Sequence, residues 1–193
     1  MTLDKINAAL NNGGVALLPT ETVFGLACRA MNKNAVDKIY AIKGREFDKP
    51  LAVCVHSLEQ AEDLGTFNPL ARKIAHEYWP GPVTVIVKAK PGNGLDPRCF
   101  SRVDGEATIA LRCPDASWRD RLDGPLALTS ANRSGEPDSV DYASALALLG
   151  TEIDGHIENE IPLSGQASTI ISVNEEGLKT LRQGSVNLAG LTI

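Results

Sequence analysis

Short apolar runs and helix-period stretches alternate along the whole chain. Val15-Ala16-Leu17-Leu18 is a continuous apolar run halted by Pro19, the pattern of a buried strand. Val23 to Cys28 takes the run up again after a turn. Between Asn34 and Lys43, Val36, Ile39 and Tyr40 fall on one helical face, and Gly44 is placed to close that helix. Leu51 to Val55 reads as another buried strand. Ser57-Leu58-Glu59-Gln60 has the form of a capping box and predicts a short helix to Leu64. Asn68-Pro69 sets an N-cap before a proline at the first helical position, and that helix is predicted to run to Trp79, before Pro80.

Val83 to Ala89 is rich in β-branched residues and predicts a strand. Pro91 to Gly105, broken by Gly92, Gly94 and Pro97, reads as a long loop, and Gly92 to Gly105 is a candidate lid. Ala107 to Leu111 and Leu126 to Thr129 predict strands, with a helix over Ala116 to Leu122 between them. Ser139 to Leu149 is predicted helical, ending at Gly150. Thr169 to Val173 and Leu178 to Leu181 flank Asn174-Glu175-Glu176-Gly177, a hairpin pattern. Strands alternating with helices, and a late hairpin, predict one α/β domain over 1–193 with a mixed sheet.

Composition narrows the classes. The 193 residues are 43% apolar and 22% charged, the balance of a globular protein. The longest apolar runs fall far short of a membrane span, and Met1 to Asn12 lacks the long apolar stretch of a signal peptide. A cytoplasmic protein is expected. The net charge of −5 argues against a broad polyanion-binding face but leaves room for a local basic pocket. Cys28, Cys54, Cys99 and Cys113 form no C-x-x-C pair and read as reduced thiols, mostly in apolar surroundings. His56, His76 and His156 supply no metal-ligand spacing, so no protein-held metal is expected.

Candidate chemistry sits at the ends of predicted strands. In Pro19-Thr20-Glu21-Thr22, two hydroxyls and a carboxylate interrupt an apolar segment; they either bind a small polar substrate or satisfy a local turn. Lys43, Arg45 and Lys49 lie between a helix end and a buried strand, close enough to meet on one anion, although Lys43 also complements a helix dipole. Trp79-Pro80-Gly81-Pro82 reads as a rigid wall. Arg112 ends an apolar strand and needs a partner, either an internal acid or a substrate carboxylate. Thr129-Ser130-Ala131-Asn132 is a small-residue loop suited to an anion or a ribose. At the outer ends of the hairpin, Ser168 and Arg182 are brought side by side. No P-loop, G-x-G-x-x-G fingerprint, nucleophile elbow or carboxylate pair is present. The set describes a pocket for anions and small polar groups without a covalent nucleophile.

Taken in order, Pro19-Thr20-Glu21-Thr22 with Phe24-Gly25-Leu26, Lys43-x-Arg45, Lys49-Pro50-Leu51, Trp79 to Thr84, Ala110-Leu111-Arg112, Thr129 to Asn132, and Ser168-Thr169 with Leu181-Arg182-x-Gly184 resemble the YrdC/TsaC family of threonylcarbamoyl-adenylate synthases. Phe24 stands where Tyr is frequent, and Glu46 stands where Pro usually follows the arginine. Longer members continue into a second domain. The resemblance implies a twisted mixed sheet with flanking helices around a basic cavity. It implies an enzyme making L-threonylcarbamoyl-AMP and pyrophosphate from L-threonine, bicarbonate or CO2, and ATP, for the t6A modification of tRNA. Mg²⁺ would arrive with ATP. Lys43, Arg45, Lys49, Thr108, Asn132 and Arg182 would hold ATP, with Lys43 and Arg45 catalytic. Thr22, Arg112, Ser130 and Ser168 would hold threonine, Arg112 at its carboxylate. Transient contact with the tRNA threonylcarbamoyl-transferase complex is expected. The alternatives are a double-stranded RNA-binding module and a carbamoyl-adenylate-forming enzyme with another acceptor.

Overall fold

Most helices in this chain start where a side chain can accept from an otherwise orphaned backbone N–H. The computed structural model describes residues 1–103, 105–139, 141–149, 151–158 and 163–188. In α2 (Lys33–Lys43) the Asn32 side chain accepts from Ala35 N at 3.1 Å, and Gly44 closes the helix at φ +58°. In α3 (Leu58–Leu64) Ser57 accepts from Gln60 N at 3.3 Å, while Gln60 turns back to accept from His56 N at 2.9 Å. In α4 (Pro69–Tyr78) Asn68 accepts from Ala71 N at 2.8 Å, with Pro69 in the first turn. The helix α1 (Leu3–Asn11) has no such cap and was not expected; Ile6 and Leu10, one turn apart, are fully buried. The helix predicted from Ser139 begins only at Tyr142 (α5, Tyr142–Leu149), where Asp141 accepts from Ser144 N at 2.8 Å. Val140 and the predicted stop at Gly150 lie outside the described residues. No described helix is long and apolar enough to cross a membrane.

The strands are β1 (Ala16–Pro19), β2 (Phe24–Arg29), β3 (Ala52–Cys54), β4 (Gly65–Thr66), β5 (Val83–Ala89), β6 (Phe100–Val103), β7 (Glu106–Arg112), β8 (Leu126–Ser130), β9 (Gly155–His156), β10 (Thr169–Asn174) and β11 (Gly177–Arg182). They form one sheet in the order β11-β10-β5-β7-β3-β8-β2-β1-β9, with β4 added beside β5 and β6 beside β7. The pairs β1·β9, β3·β7 and β5·β10 are parallel and the rest antiparallel, so the sheet is mixed as predicted. The hairpin closes as read, with Asn174 opposite Gly177.

Two expectations need correction. The segment from Pro91 to Gly105 is not a free loop: it holds a 3-10 turn at Pro97–Cys99 and the edge strand β6, paired with β7 from Phe100↔Ile109 to Val103↔Glu106. Asp96 N and Arg98 O are bonded to Ala30 O and Leu51 N at 2.8 and 2.9 Å, which anchors the candidate lid to the core. The helix predicted over Ala116 to Leu122 is a single 3-10 turn, Arg119–Arg121. Trp118, only 2% exposed, donates its Nε1–H to Pro19 O at 2.6 Å, a distant contact that local periodicity does not register.

What positions the site is unequal cover of the two sheet faces. One face carries Leu17, Leu26, Val53, Val85, Leu111 and Ile171 in a large cluster with residues of α2, α3 and α4. On the other, Ile6 and Leu10 of α1, with Trp118 and Leu122, cover Ala16, Leu18, Ala27, Leu126 and Leu128. The rest of that second face, across β5, β7 and β3, has no described helix over it.

Trp118 therefore ties the cover to the strand end beside the open face. Trp118→Phe keeps an aromatic ring but leaves Pro19 O without its donor, and should cost about 1–3 kcal/mol of unfolding free energy. A urea midpoint unchanged from wild type would remove this role.

Candidate active site

The open sheet face forms a cavity of about 280 Å³. Strand alternation decides which side chains enter it: Thr84 and Ile86 from β5, Ala110 and Arg112 from β7, Ala52 and Cys54 from β3, Leu128 and Ser130 from β8. Thr20 and Thr22 approach from the β1–β2 turn, Arg45 and Pro50 from the segment after α2, and Ala167, Ser168 and Arg182 from the hairpin end. A larger groove of about 570 Å³ lies at the far end of β2, around Arg29, Lys33 and Asp123, and takes in none of the predicted site residues.

Six of those residues converge on the cavity: Thr22, Arg45, Arg112, Ser130, Ser168 and Arg182. Arg112, 6% exposed, donates from Nε to Gly81 O at 3.2 Å and from Nη2 to Thr22 Oγ1 at 3.1 Å. Its Nη2 also stands 2.8 Å from Glu21 Oε1, so the partner foreseen for this arginine is an internal acid. Thr22 Oγ1 is 2.7 Å from Thr20 Oγ1, which donates to Val23 O at 2.8 Å. The hydroxyls of the threonine pair therefore satisfy the turn, and they face the cavity as well.

Arg182 meets Ser168 as the hairpin register requires, with Nε donating to Ser168 O at 3.0 Å and Nη2 to Ser168 Oγ at 3.1 Å. Ser168 Oγ is in turn 2.8 Å from Thr84 Oγ1. Desolvation lowers the pKa of Arg182; the charge of Asp138 opposes the shift and that of Arg112 adds to it, so the two guanidiniums sense each other across the cavity. Arg45 folds along its own loop, donating from Nε to Lys49 O at 2.9 Å and from Nη2 to Pro50 O at 3.0 Å.

The other four do not line the cavity. Lys43 is 3% exposed, and its Nζ donates to Ser130 O, Asn132 O and Asn132 Oδ1 at 2.5, 2.6 and 2.8 Å. All three ammonium hydrogens are thereby matched to protein oxygens. Asn132 Oδ1 also accepts from Ser130 Oγ at 2.6 Å, and Asn132 Nδ2 donates to Glu136 O at 2.5 Å. Lys43 and Asn132 thus form a buried strut behind Ser130. Lys49 pairs with Glu46 at 2.7 Å, both side chains exposed, so the residue standing in place of the usual proline takes up that ammonium. Thr108 shares a strand face with Ala110 and Arg112 but lines an adjoining groove, in which Ile86 also takes part. Glu21, Thr84 and Asp138 were missed. Only Glu21 carried a signal, as a carboxylate within an apolar segment.

The residues lining the cavity can hold anions. Cys54 faces it, but burial pushes its thiol up to about 12, which keeps it protonated and inert near neutral pH. No cluster of three or more His, Cys, Asp or Glu side chains is placed to hold a metal among the described residues.

The Sua5/YciO/YrdC domain model, whose description reads telomere recombination, matches residues 8–184. The chain belongs to the Sua5/YciO/YrdC family. One family member, from Methanocaldococcus jannaschii, is 33% identical over 192 residues, covering 98% of this chain and 88% of its own. The threonylcarbamoyl-AMP synthase of Bacillus subtilis is 36% identical over 184 residues; this chain spans about half its length, 52%, with 93% of its own residues aligned. The structure of Pyrococcus abyssi Sua5 complexed with L-threonine superposes with a TM-score of 0.85 at 30% identity, covering 94% of this chain and 54% of that one. The family fold is thus the one observed, an α/β sheet with flanking helices.

Burial, and secondarily the charge of Arg45, push the Lys43 ammonium down from the ordinary 10.5 to about 8, with Asp138 opposing. The unfolded chain then holds more protons than the folded one between about 8 and 10.5, so this lysine makes stability rise with pH across that window. Relative to Lys43→Met, wild type should gain unfolding free energy there, by at most about 1.4 kcal/mol per pH unit. A difference that stays flat in urea titrations at pH 8, 9 and 10 would rule out this downward shift.

Proposed function

We propose that this chain is a threonylcarbamoyl-AMP synthase, joining L-threonine, CO2 or bicarbonate, and ATP, and releasing pyrophosphate. The observation that carries the reading is the meeting of Arg45, Arg112 and Arg182 with Thr22, Ser130 and Ser168 in one cavity. The names of the Bacillus subtilis and Pyrococcus abyssi relatives support it, as does the threonine-bound state of the latter. The product serves t6A formation on tRNA, with transient contact to the transferase complex that consumes it. The whole chain, 1–193, is taken as one domain. A cytoplasmic setting fits the four free, buried cysteines.

The neutral amine of threonine captures CO2, its proton leaves, and a carbamate results. A carbamate oxygen then attacks the α-phosphorus in line, and the bond from that phosphorus to the β-phosphate oxygen breaks. Both reactants are anions, and two unit charges 4 Å apart repel by about 4 kcal/mol at an effective dielectric near 20. Arginines fixed in place before binding offset this repulsion and cost no reorganisation at the reacting moment.

Roles follow position. Arg112 takes the threonine carboxylate, with Thr22, Ser130 and Ser168 around the rest of the amino acid. Arg45 and Arg182 face the phosphates. Lys43 and Asn132 act through the Ser130 loop they brace, and Lys43 adds its charge from behind. Lys49 joins the phosphates by leaving Glu46. Thr108 reaches the nucleotide where it passes Ile86 into the adjoining groove. Mg²⁺ enters as part of the substrate MgATP. The duplex-RNA alternative calls for cations on an outer face, whereas these arginines lie in a concavity.

The test is incubation with ATP, labelled bicarbonate and single amino acids. Threonine alone should yield the carbamoyl-adenylate and pyrophosphate. Arg45→Ala should cut turnover about 10²-fold, the size of losing one positioned charge donor. Arg112→Ala should act mainly by raising the KM for threonine. Pyrophosphate release that is independent of threonine would refute the assignment.

A further inference from the structure

Glu21 sits in the turn that joins β1 to β2, closed by the pair Pro19↔Phe24. Its Oε1 lies 2.8 Å from Arg112 Nη2, yet both carboxylate oxygens are buried and neither makes an aligned hydrogen bond. The aligned bonds of Arg112 go elsewhere, to Gly81 O and Thr22 Oγ1. A carboxylate that serves permanently as a buried counter-ion takes several N–H or O–H donors to offset its lost hydration. This one is held by charge alone. It also has a way out: the side chain is 21% exposed, so its stem reaches the surface while its head is covered.

We propose that Glu21 is a resident stand-in for the substrate carboxylate, holding Arg112 neutralised in the empty cavity and displaced when an α-amino acid binds. This rests on the reading of the cavity as an amino-acid site. Exchanging one carboxylate for another leaves the charge beside Arg112 unchanged, so the buried guanidinium never stands unpaired. A ligand without a carboxylate cannot drive the exchange, which makes Glu21 a specificity determinant as well as a competitor. The foreseen alternatives for Arg112, internal acid or substrate carboxylate, become two states of one site.

The experiment is calorimetric titration of wild type, Glu21→Gln and Glu21→Asp with L-threonine and with L-threoninamide. Removing the competitor should tighten threonine binding by about tenfold in Glu21→Gln, a gain of about 1.4 kcal/mol. Glu21→Asp, too short by one methylene to keep the contact, should shift the same way by less, and it covers the case in which Glu21→Gln does not fold. Threoninamide affinity should not change. Weaker or unchanged threonine binding in the variants would overturn the proposal, as would an equal effect on both ligands, which marks a fixed structural role. Threonine-dependent pyrophosphate release by wild type tests the site reading separately. If wild type binds no threonine, that reading fails, and acetate as the bare carboxylate probe decides the role of Glu21 in the same variants.

Discussion

The cations of the cavity are held mainly by neutral oxygens. Arg45 is matched to the carbonyls of Lys49 and Pro50, Arg182 to the carbonyl and hydroxyl of Ser168, and Lys43, behind the cavity wall, to two backbone carbonyls and an amide oxygen. Dipoles of this kind fix direction without cancelling charge. Elsewhere the pattern reverses, and Lys88 pairs with Glu106, Arg72 with Glu62, Arg119 with Asp120, and Arg98 with Asp37 and Asp96. Of the three cavity arginines only Arg112 has an ion pair among the described residues, to Glu21, so a protein with a net charge of −5 keeps net positive charge in one concavity. The field serves only anions small enough to enter.

That arrangement needs an uncovered sheet face, and the cover is set by few residues. Ile6, Leu10, Trp118 and Leu122 seal the β1–β2–β8 side and stop there. Beyond them the strands present Ile86 and Ala110 as a floor between charged walls. A helix over that region would have buried the guanidiniums against apolar surface, at a cost their neutral partners could not offset.

Much of this was legible in the residues, and the failures share a cause. The caps at Ser57 and Asn68, the stop at Gly44 and the hairpin at Asn174 to Gly177 are local and were read correctly. The meeting of Ser168 with Arg182 also followed, because hairpin register is a local property. What failed depended on distant contacts. The helix expected over Ala116 to Leu122 is overridden by the bond from Trp118 to Pro19, and the loop from Pro91 to Gly105 gains a strand because β7 offers a free edge. The partners of Lys43 lay equally beyond local reading. The carbonyls that occupy it come from residues 130 and 132, which spacing could not reveal. Glu21 announced itself as a polar interruption, but nothing local marked Arg112 as its partner.

The hairpin end shows how tightly the site is tied to the backbone around it. Thr169, fully buried, accepts from Gly184 N at 3.0 Å and donates to Val186 O at 2.7 Å, so the chain leaving Arg182 folds back over Ser168. A Cβ at Gly184 would run into the Ala167 carbonyl and the backbone of Ser168 and Thr169, none of which can yield as a side-chain tip does. The glycine in Leu181-Arg182-x-Gly184 is therefore what lets two backbone segments touch. That contact seats Arg182 on Ser168, and Ser168 on Thr84 of the cavity wall. Charge placement at the hairpin end of the cavity thus rests on an absent methyl group two residues beyond the arginine itself.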